Sequence, residues 1–220
     1  MSRIYIPTSG PESWRRLLAD PEKHWRTGYS AKAAAHCWES ADGLPTEINA
    51  IFGGKADLLL AIPEHKVALP GGRRESQCDV FALVRSDDET YAVAVEAKVD
   101  EPFGPTVEEW LQDASEGKKT RLRFLCETIG LETPSNGQLR YQLLHRTVAA
   151  VLEASRFDTD GAAMVVHSFS TAYRWFNDFA AFCETLGHHA EPDVPISHTL
   201  PNGKPLLMAW VSGDARFLSE

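Results

Sequence analysis

The spacing of apolar positions changes character several times along the chain. In the opening IYIPTSGPESWRRLLAD it predicts a short strand, a turn at Ser9-Gly10 and a helix with Pro11 in its first turn, where a missing N–H costs nothing. The alanine-rich SAKAAAHCWES has high helix propensity; Ser30 is placed to cap it and Gly43 lies where it must end. Residues 45–52 add another turn or two of helix. From Asp57 the rhythm shifts to DLLLAIPEHKVAL, QCDVFALVR and YAVAVEAKV, aliphatic and β-branched runs separated by turn signals, which predict three consecutive strands. After Gly104 helical spacing returns in TVEEWLQDAS, KKTRLRFLCETIG and, past a break at residues 134–137, GQLRYQLLHRTVAAVLEASR. In the last, Tyr141, Leu144, Val148, Val151 and Leu152 form one apolar stripe. AAMVVHSF predicts a buried strand, YRWFNDFAAFCETLG a helix closed by Gly187, and ISHTLPNGKPLLMAWV a hairpin turning at Asn202-Gly203. The order implies an α/β fold, a mixed central sheet flanked by helices on both faces.

Two of these runs place chemistry. A two-residue loop at Asp87-Asp88 and a four-residue loop over residues 86–89 give the same hairpin register, which sets Asp79 opposite Glu96. Alternation then puts Lys98 on their face, together with Phe81, Leu83, Ala92 and Ala94. Val80, Ala82, Val84, Val93, Val95 and Ala97 occupy the other face. Strands apolar on both sides are buried on both sides, so three ionisable groups at one end are not an ordinary solvated surface. Two facing carboxylates repel unless a cation lies between them, and hard oxygen donors suit Mg²⁺ or Mn²⁺. A lysine two residues on can orient a metal-bound water and offset charge developing on a phosphoryl group. The competing explanation is a cross-strand ion pair at a strand end.

Asp79 followed after a turn by Glu96-Ala97-Lys98 resembles the PD-(D/E)XK nuclease superfamily, although Cys78 stands where the superfamily's name leads one to expect proline. The resemblance implies a restriction-endonuclease-like αβββαβ core over about residues 30–170, within a single domain spanning 1–220 that adds an N-terminal strand and helix and a C-terminal helix and hairpin. It implies Asp79, Glu96 and the Ala97 carbonyl as metal ligands, Lys98 as the catalytic cation, and a further carboxylate from the first helix, Glu39 or secondarily Glu47. Gln142 and Arg146, four apart beside the apolar stripe of the long helix, are candidates to approach Lys98, and Arg73 and Arg74, on a flexible loop ahead of Asp79, are candidates to touch a substrate phosphate.

Composition narrows this picture. The 220 residues, 43% hydrophobic with six tryptophans, can bury a substantial core. No apolar run approaches the roughly 20 residues that span a bilayer, and the amino terminus lacks a signal-peptide pattern, so the expectation is a cytoplasmic protein away from membranes. Cys37, Cys78, Cys126 and Cys183 have no zinc-finger spacing and read as reduced, partly buried thiols. A net charge of -9 argues against binding nucleic acid through the overall field, yet carboxylates gathered around bound cations reverse it locally. The KKTRLR run reads as a solvated helix face, the histidines 188, 189 and 198 follow a helix end in a proline-rich loop without metal-ligand spacing, and the tryptophans read as core. No phosphate loop, nucleophile elbow or dinucleotide fingerprint is present. The expected activity is metal-dependent hydrolysis of phosphodiester bonds, in DNA before RNA by superfamily habit. The alternatives are an inactive binding or assembly module of the same fold and a small-molecule hydrolase using the same metals. Nucleases of this size often dimerise, but nothing in the sequence identifies an interface. An active site should leave Asp79 and Glu96 open to solvent; a retired one should bury them against Lys98 or an arginine.

Overall fold

The computed structural model describes residues 8–132 and 137–220, so the strand expected at the extreme amino terminus lies outside the described residues. A 3-10 segment, Pro11–Leu17, and the short α1, Pro21–His24, lead into α2, Ser30–Ser40, and α3, Thr46–Ile51. Three strands follow: β1, Asp57–Val67, β2, Ser76–Ser86, and β3, Glu89–Lys98. Then come α4, Val107–Leu111, α5, Glu116–Ile129, and α6, Tyr141–Arg156. The chain closes with β4, Gly161–Ser168, α7, Phe176–Thr185, β5, Ile196–Thr199, β6, Pro205–Ser212, and a 3-10 turn at Ala215–Ser219.

The six strands form one mixed sheet in the order β1-β2-β3-β4-β6-β5. β1, β2 and β3 are an antiparallel meander; β4 runs parallel to β3, and β6 parallel to β4. The β2–β3 ladder runs from Ser86–Glu89 to Val80–Val95, so the hairpin closes through the two-residue loop, with Asp87 at a φ of 51°. Continued by one pair, that ladder sets Asp79 across from Glu96.

Each face of the sheet carries its own apolar core. Phe81, Ala92 and Ala94 pack with Met164 and Val166 beneath α5, α6 and α7. Val80, Ala82, Val93, Val95 and Ala97 pack with Val165 beneath α2, α3 and the two 3-10 segments. Leu143, Leu144 and Val148 of α6 are fully buried, each removal from water contributing about 1.5–3 kcal/mol. α5 is capped by Ser115, whose side chain accepts from the Lys118 N–H, and is closed by Gly130 in the left-handed conformation.

Several elements differ from the sequence expectation: the helix expected after Pro11 is a 3-10 segment, the long helix begins at Tyr141 rather than at residue 137, and α7 begins at Phe176 rather than at Tyr173. Ser30 is the first residue of α2 rather than its cap; extended Tyr29 precedes it and no side chain caps the helix. α4 covers five residues of the longer stretch predicted, because its capping box at Thr106 and Glu109 starts a helix that Gln112, in an extended conformation, stops.

Candidate active-site cleft

At the carboxyl end of β3 the sheet opens into a cleft of about 530 Å³. Asp79, Glu96, Ala97 and Lys98 form its floor, and Tyr141, Gln142, His145 and Arg146 of α6 form one wall. The loop of residues 101–105 and a segment including Lys23, His24 and Ser30 close the other sides.

Glu96 is the most constrained group. Its Oε1 accepts from Lys98 Nζ at 2.7 Å and from Gln142 Nε2 at 2.6 Å, and its Oε2 accepts from Arg146 Nε at 2.5 Å. The i,i+4 spacing that put Gln142 and Arg146 on one side of the helix brings both onto this carboxylate. Burial works against the charge on Glu96, but the Arg146 guanidinium and Lys98 ammonium hold its pKa down to about 2. Lys98 also lies 5.0 Å from the centre of the Phe103 ring, a cation–π contact that fixes its ammonium from the loop side.

Asp79 is held differently. It is half-buried, and its Oδ2 accepts the Ala97 N–H at 2.6 Å. Burial and the charges of Glu96 and Glu64 push its carboxyl well above the usual range, and Lys98 and Arg146 offset only part of this. Glu64 went unnoticed in the sequence. It projects from β1 between the pairs Pro63–Val80 and His65–Cys78, at a φ of 54°, a left-handed conformation that costs a non-glycine residue roughly 1–2 kcal/mol. Its Oε2 accepts from Gln77 at 2.7 Å, and burial followed by the Glu96 charge raises its pKa to about 7. Glu101 lines the same cleft with its Oε1 buried and without a hydrogen-bond partner.

A family model described as a domain of unknown function, DUF6946, matches residues 7–215. The chain belongs to the DUF6946 family. No curated protein and no solved structure matches it.

The remaining candidates of this DUF6946 chain lie elsewhere. Glu39 stands apart from the cleft lining, because its Oε1 accepts from Trp14 Nε1 at 2.7 Å where the N-terminal 3-10 segment packs on α2. Arg73 and Arg74 are exposed beyond the cleft lining. Their loop is anchored rather than flexible, for Arg121 donates to the carbonyls of Leu69, Pro70 and Gly72. Much of the KKTRLR run is thereby given to structure, since Lys118 Nζ also donates to Trp110 and Gln112 carbonyls. His188 and His198 bond each other, and His198 reaches the Ile129 carbonyl.

Glu47 meets Cys37 and His167 on the opposite face of the sheet. Among the described residues these three form the one group of His, Cys, Asp and Glu whose ligand atoms all lie within 4.8 Å of one another. The cleft carboxylates are not gathered that tightly, as Glu96 is drawn to Lys98 and Arg146 while Asp79 is drawn to the Ala97 N–H. All four cysteines are free and buried. No helix among the described residues is long and apolar enough to cross a membrane.

Proposed function

We propose that the cleft is a divalent-metal site that hydrolyses phosphodiester bonds in nucleic acid, DNA before RNA. The observation that carries this reading is that Glu64, Asp79 and Glu96, from three adjacent strands, approach one cleft with Lys98 two residues beyond Glu96. The chain order supports it: helices, an antiparallel three-stranded meander, a helical crossover and a parallel fourth strand follow the αβββαβ arrangement that the PD-(D/E)XK resemblance implies.

The residues fit Mg²⁺ or Mn²⁺. The donors are hard oxygens, Asp79 and Glu64 are crowded acids whose raised pKa values a cation would relieve, and the Glu101 Oε1 is buried without a partner. Asp79, Glu96 and the Ala97 carbonyl would hold the ion, with Glu64 supplying the further carboxylate in place of Glu39. Such an ion, when bound, supplies an activated water and neutralises phosphoryl charge. The chain's own groups position the rest. Lys98 presents an ammonium fixed by Glu96 and the Phe103 ring; Gln142 and Arg146 keep the Glu96 carboxylate from turning; the Ala97 N–H orients Asp79. Lys23 and His24 in the cleft lining, and the exposed Arg73 and Arg74 on the loop ahead of β2, are suited to backbone phosphates.

One observation favours a second reading, a fold kept for binding alone. Glu96 and Lys98 are each 3% exposed, and both oxygens of Glu96 are already engaged, the arrangement expected of a retired site. Titrating Mg²⁺ and Mn²⁺ calorimetrically into wild type and Asp79→Ala, beside cleavage assays on single- and double-stranded DNA and RNA, separates the two. Metal binding and cleavage lost together in Asp79→Ala establish the phosphodiesterase. Absence of metal binding by the wild type leaves the binding module.

A further inference from the structure

Cys37 on α2, Glu47 on α3 and His167 on β4 bring a thiol, a carboxylate and an imidazole to one point behind the cleft floor. Cys37 Sγ lies 3.6 Å from Glu47 Oε1, and Glu47 Oε1 lies 2.8 Å from His167 Nε2. Ligands on a tetrahedral zinc-sized ion, at bond lengths of about 2.0–2.3 Å, stand about 3.3–3.6 Å apart. The Cys37–Glu47 separation already matches that spacing, so opening the Glu47–His167 contact and drawing Cys37 and His167 together from within 4.8 Å would convert the cluster into a coordination shell.

We propose that Cys37, Glu47 and His167 bind a zinc-class divalent cation, with water as the fourth ligand. Charge balance supports this. A thiolate and a carboxylate cancel a divalent charge, and a neutral imidazole adds none, so the buried site closes without net charge. Burial supports it too: Cys37 and His167 are 4% and 0% exposed, whereas the Glu47 side chain, at 21%, leaves a route for ion and water. Without an ion the Glu47 carboxylate, held below its usual range by its hydrogen bonds to His167 and Cys37, accepts from a thiol that burial and that same carboxylate keep protonated, and an ion would replace this proton. Gly213 closes the far side, where a Cβ would come within 3.0 Å of His167 Nε2 and 2.6 Å of the Phe169 ring.

The sulfur and nitrogen donors separate this site chemically from the all-oxygen cleft and select zinc-like ions over Mg²⁺. His167 is the register partner of Ala97, one residue from Lys98 and on the opposite face. The ion would thus tie α2 and α3 to the strand pair that carries the cleft floor.

Co²⁺ is the probe. Chelator-stripped wild-type protein titrated with Co²⁺ should take up one equivalent with a thiolate-to-cobalt charge-transfer band and the visible bands of a tetrahedral ion, and Zn²⁺ should displace it. Cys37→Ser should lose the charge-transfer band, Glu47→Gln should weaken uptake about tenfold or more, and Asp79→Ala should keep the band. Absence of a charge-transfer band in wild type overturns the proposal without reference to any variant's folding, and so does a band that survives in Cys37→Ser. Co²⁺ uptake lost in Asp79→Ala but kept in Cys37→Ser would move the ion to the cleft and likewise overturn it.

Discussion

The Nε of Arg146 sits 2.5 Å from the Oε2 of Glu96, with both residues buried between α6 and the sheet. This contact joins the longest helix to the central hairpin at the point where the cleft begins. Arg146 also donates to Ser76 Oγ at 3.0 Å, so one guanidinium ties α6 to both β2 and β3.

Removing that guanidinium should therefore be costly. Arg146→Met leaves Glu96 with Lys98 and Gln142 alone and is expected to lower stability by roughly 3 kcal/mol in urea denaturation. Adding Glu96→Gln removes the stranded charge and should recover a large part of the loss. A double variant no more stable than Arg146→Met would show that packing, not charge, is what Arg146 contributes.

Lys98→Met keeps the aliphatic stem against Phe103 and deletes the ammonium. On the phosphodiesterase reading it should lower the cleavage rate about 10²–10³-fold while calorimetric metal binding persists. Unchanged cleavage would make Lys98 a structural partner of Glu96 only.

Acid should expose His145. Burial, and the Arg146 charge beside it, depress its pKa to about 3, against 6.5 when the chain is unfolded. The unfolded state therefore binds more protons between these values, so the contribution is complete above pH 6.5 and is lost as pH falls through the window. Thermal or urea denaturation should show about 2 kcal/mol of loss between pH 6.5 and 4.5 that is absent in His145→Gln. An identical slope in the variant would assign the loss to other groups.

Gly71→Ala should destabilise by more than about 2 kcal/mol, as the backbone has a φ of +80° and the added Cβ would lie 2.2 Å from the Gly117 carbonyl oxygen. Gly53→Ala shares the positive φ but meets nothing within 4 Å, and should cost about 1 kcal/mol. Equal denaturation midpoints for the two would remove the steric explanation.

The strand and helix order was legible because apolar periodicity on β2, β3 and α6 matches the burial each acquires, and because Asp87-Asp88 fixes one register. Asp79, Glu96 and Lys98 share a face by alternation alone, and Gln142 and Arg146 follow from helical spacing. Glu64 was hidden because no short turn fixes the register between β1 and β2 in the sequence; the observed pairs Pro63–Val80 and His65–Cys78 set it across from Asp79. Glu39 was misplaced because its partner, Trp14, is 25 residues away and only packing brings them together. Cys37, Glu47 and His167 share no spacing signal, since 120 residues separate Glu47 from His167. The basic run from Lys118 looked solvated because carbonyls that accept from Arg121 belong to a distant loop.

The two margins of the sheet bear on how copies of this chain can meet. β1, at one margin, carries Pro63, which has no N–H to offer, and the left-handed kink at Glu64. β5, at the other, is four residues long. Among the described residues, the register shift at Leu58/Leu60, the proline and the kink break up the amide row of β1, and β5 is short, features that oppose edge-to-edge polymerisation. Among the described residues, contacts between copies are thereby steered away from the sheet margins and from the cleft strands at its centre.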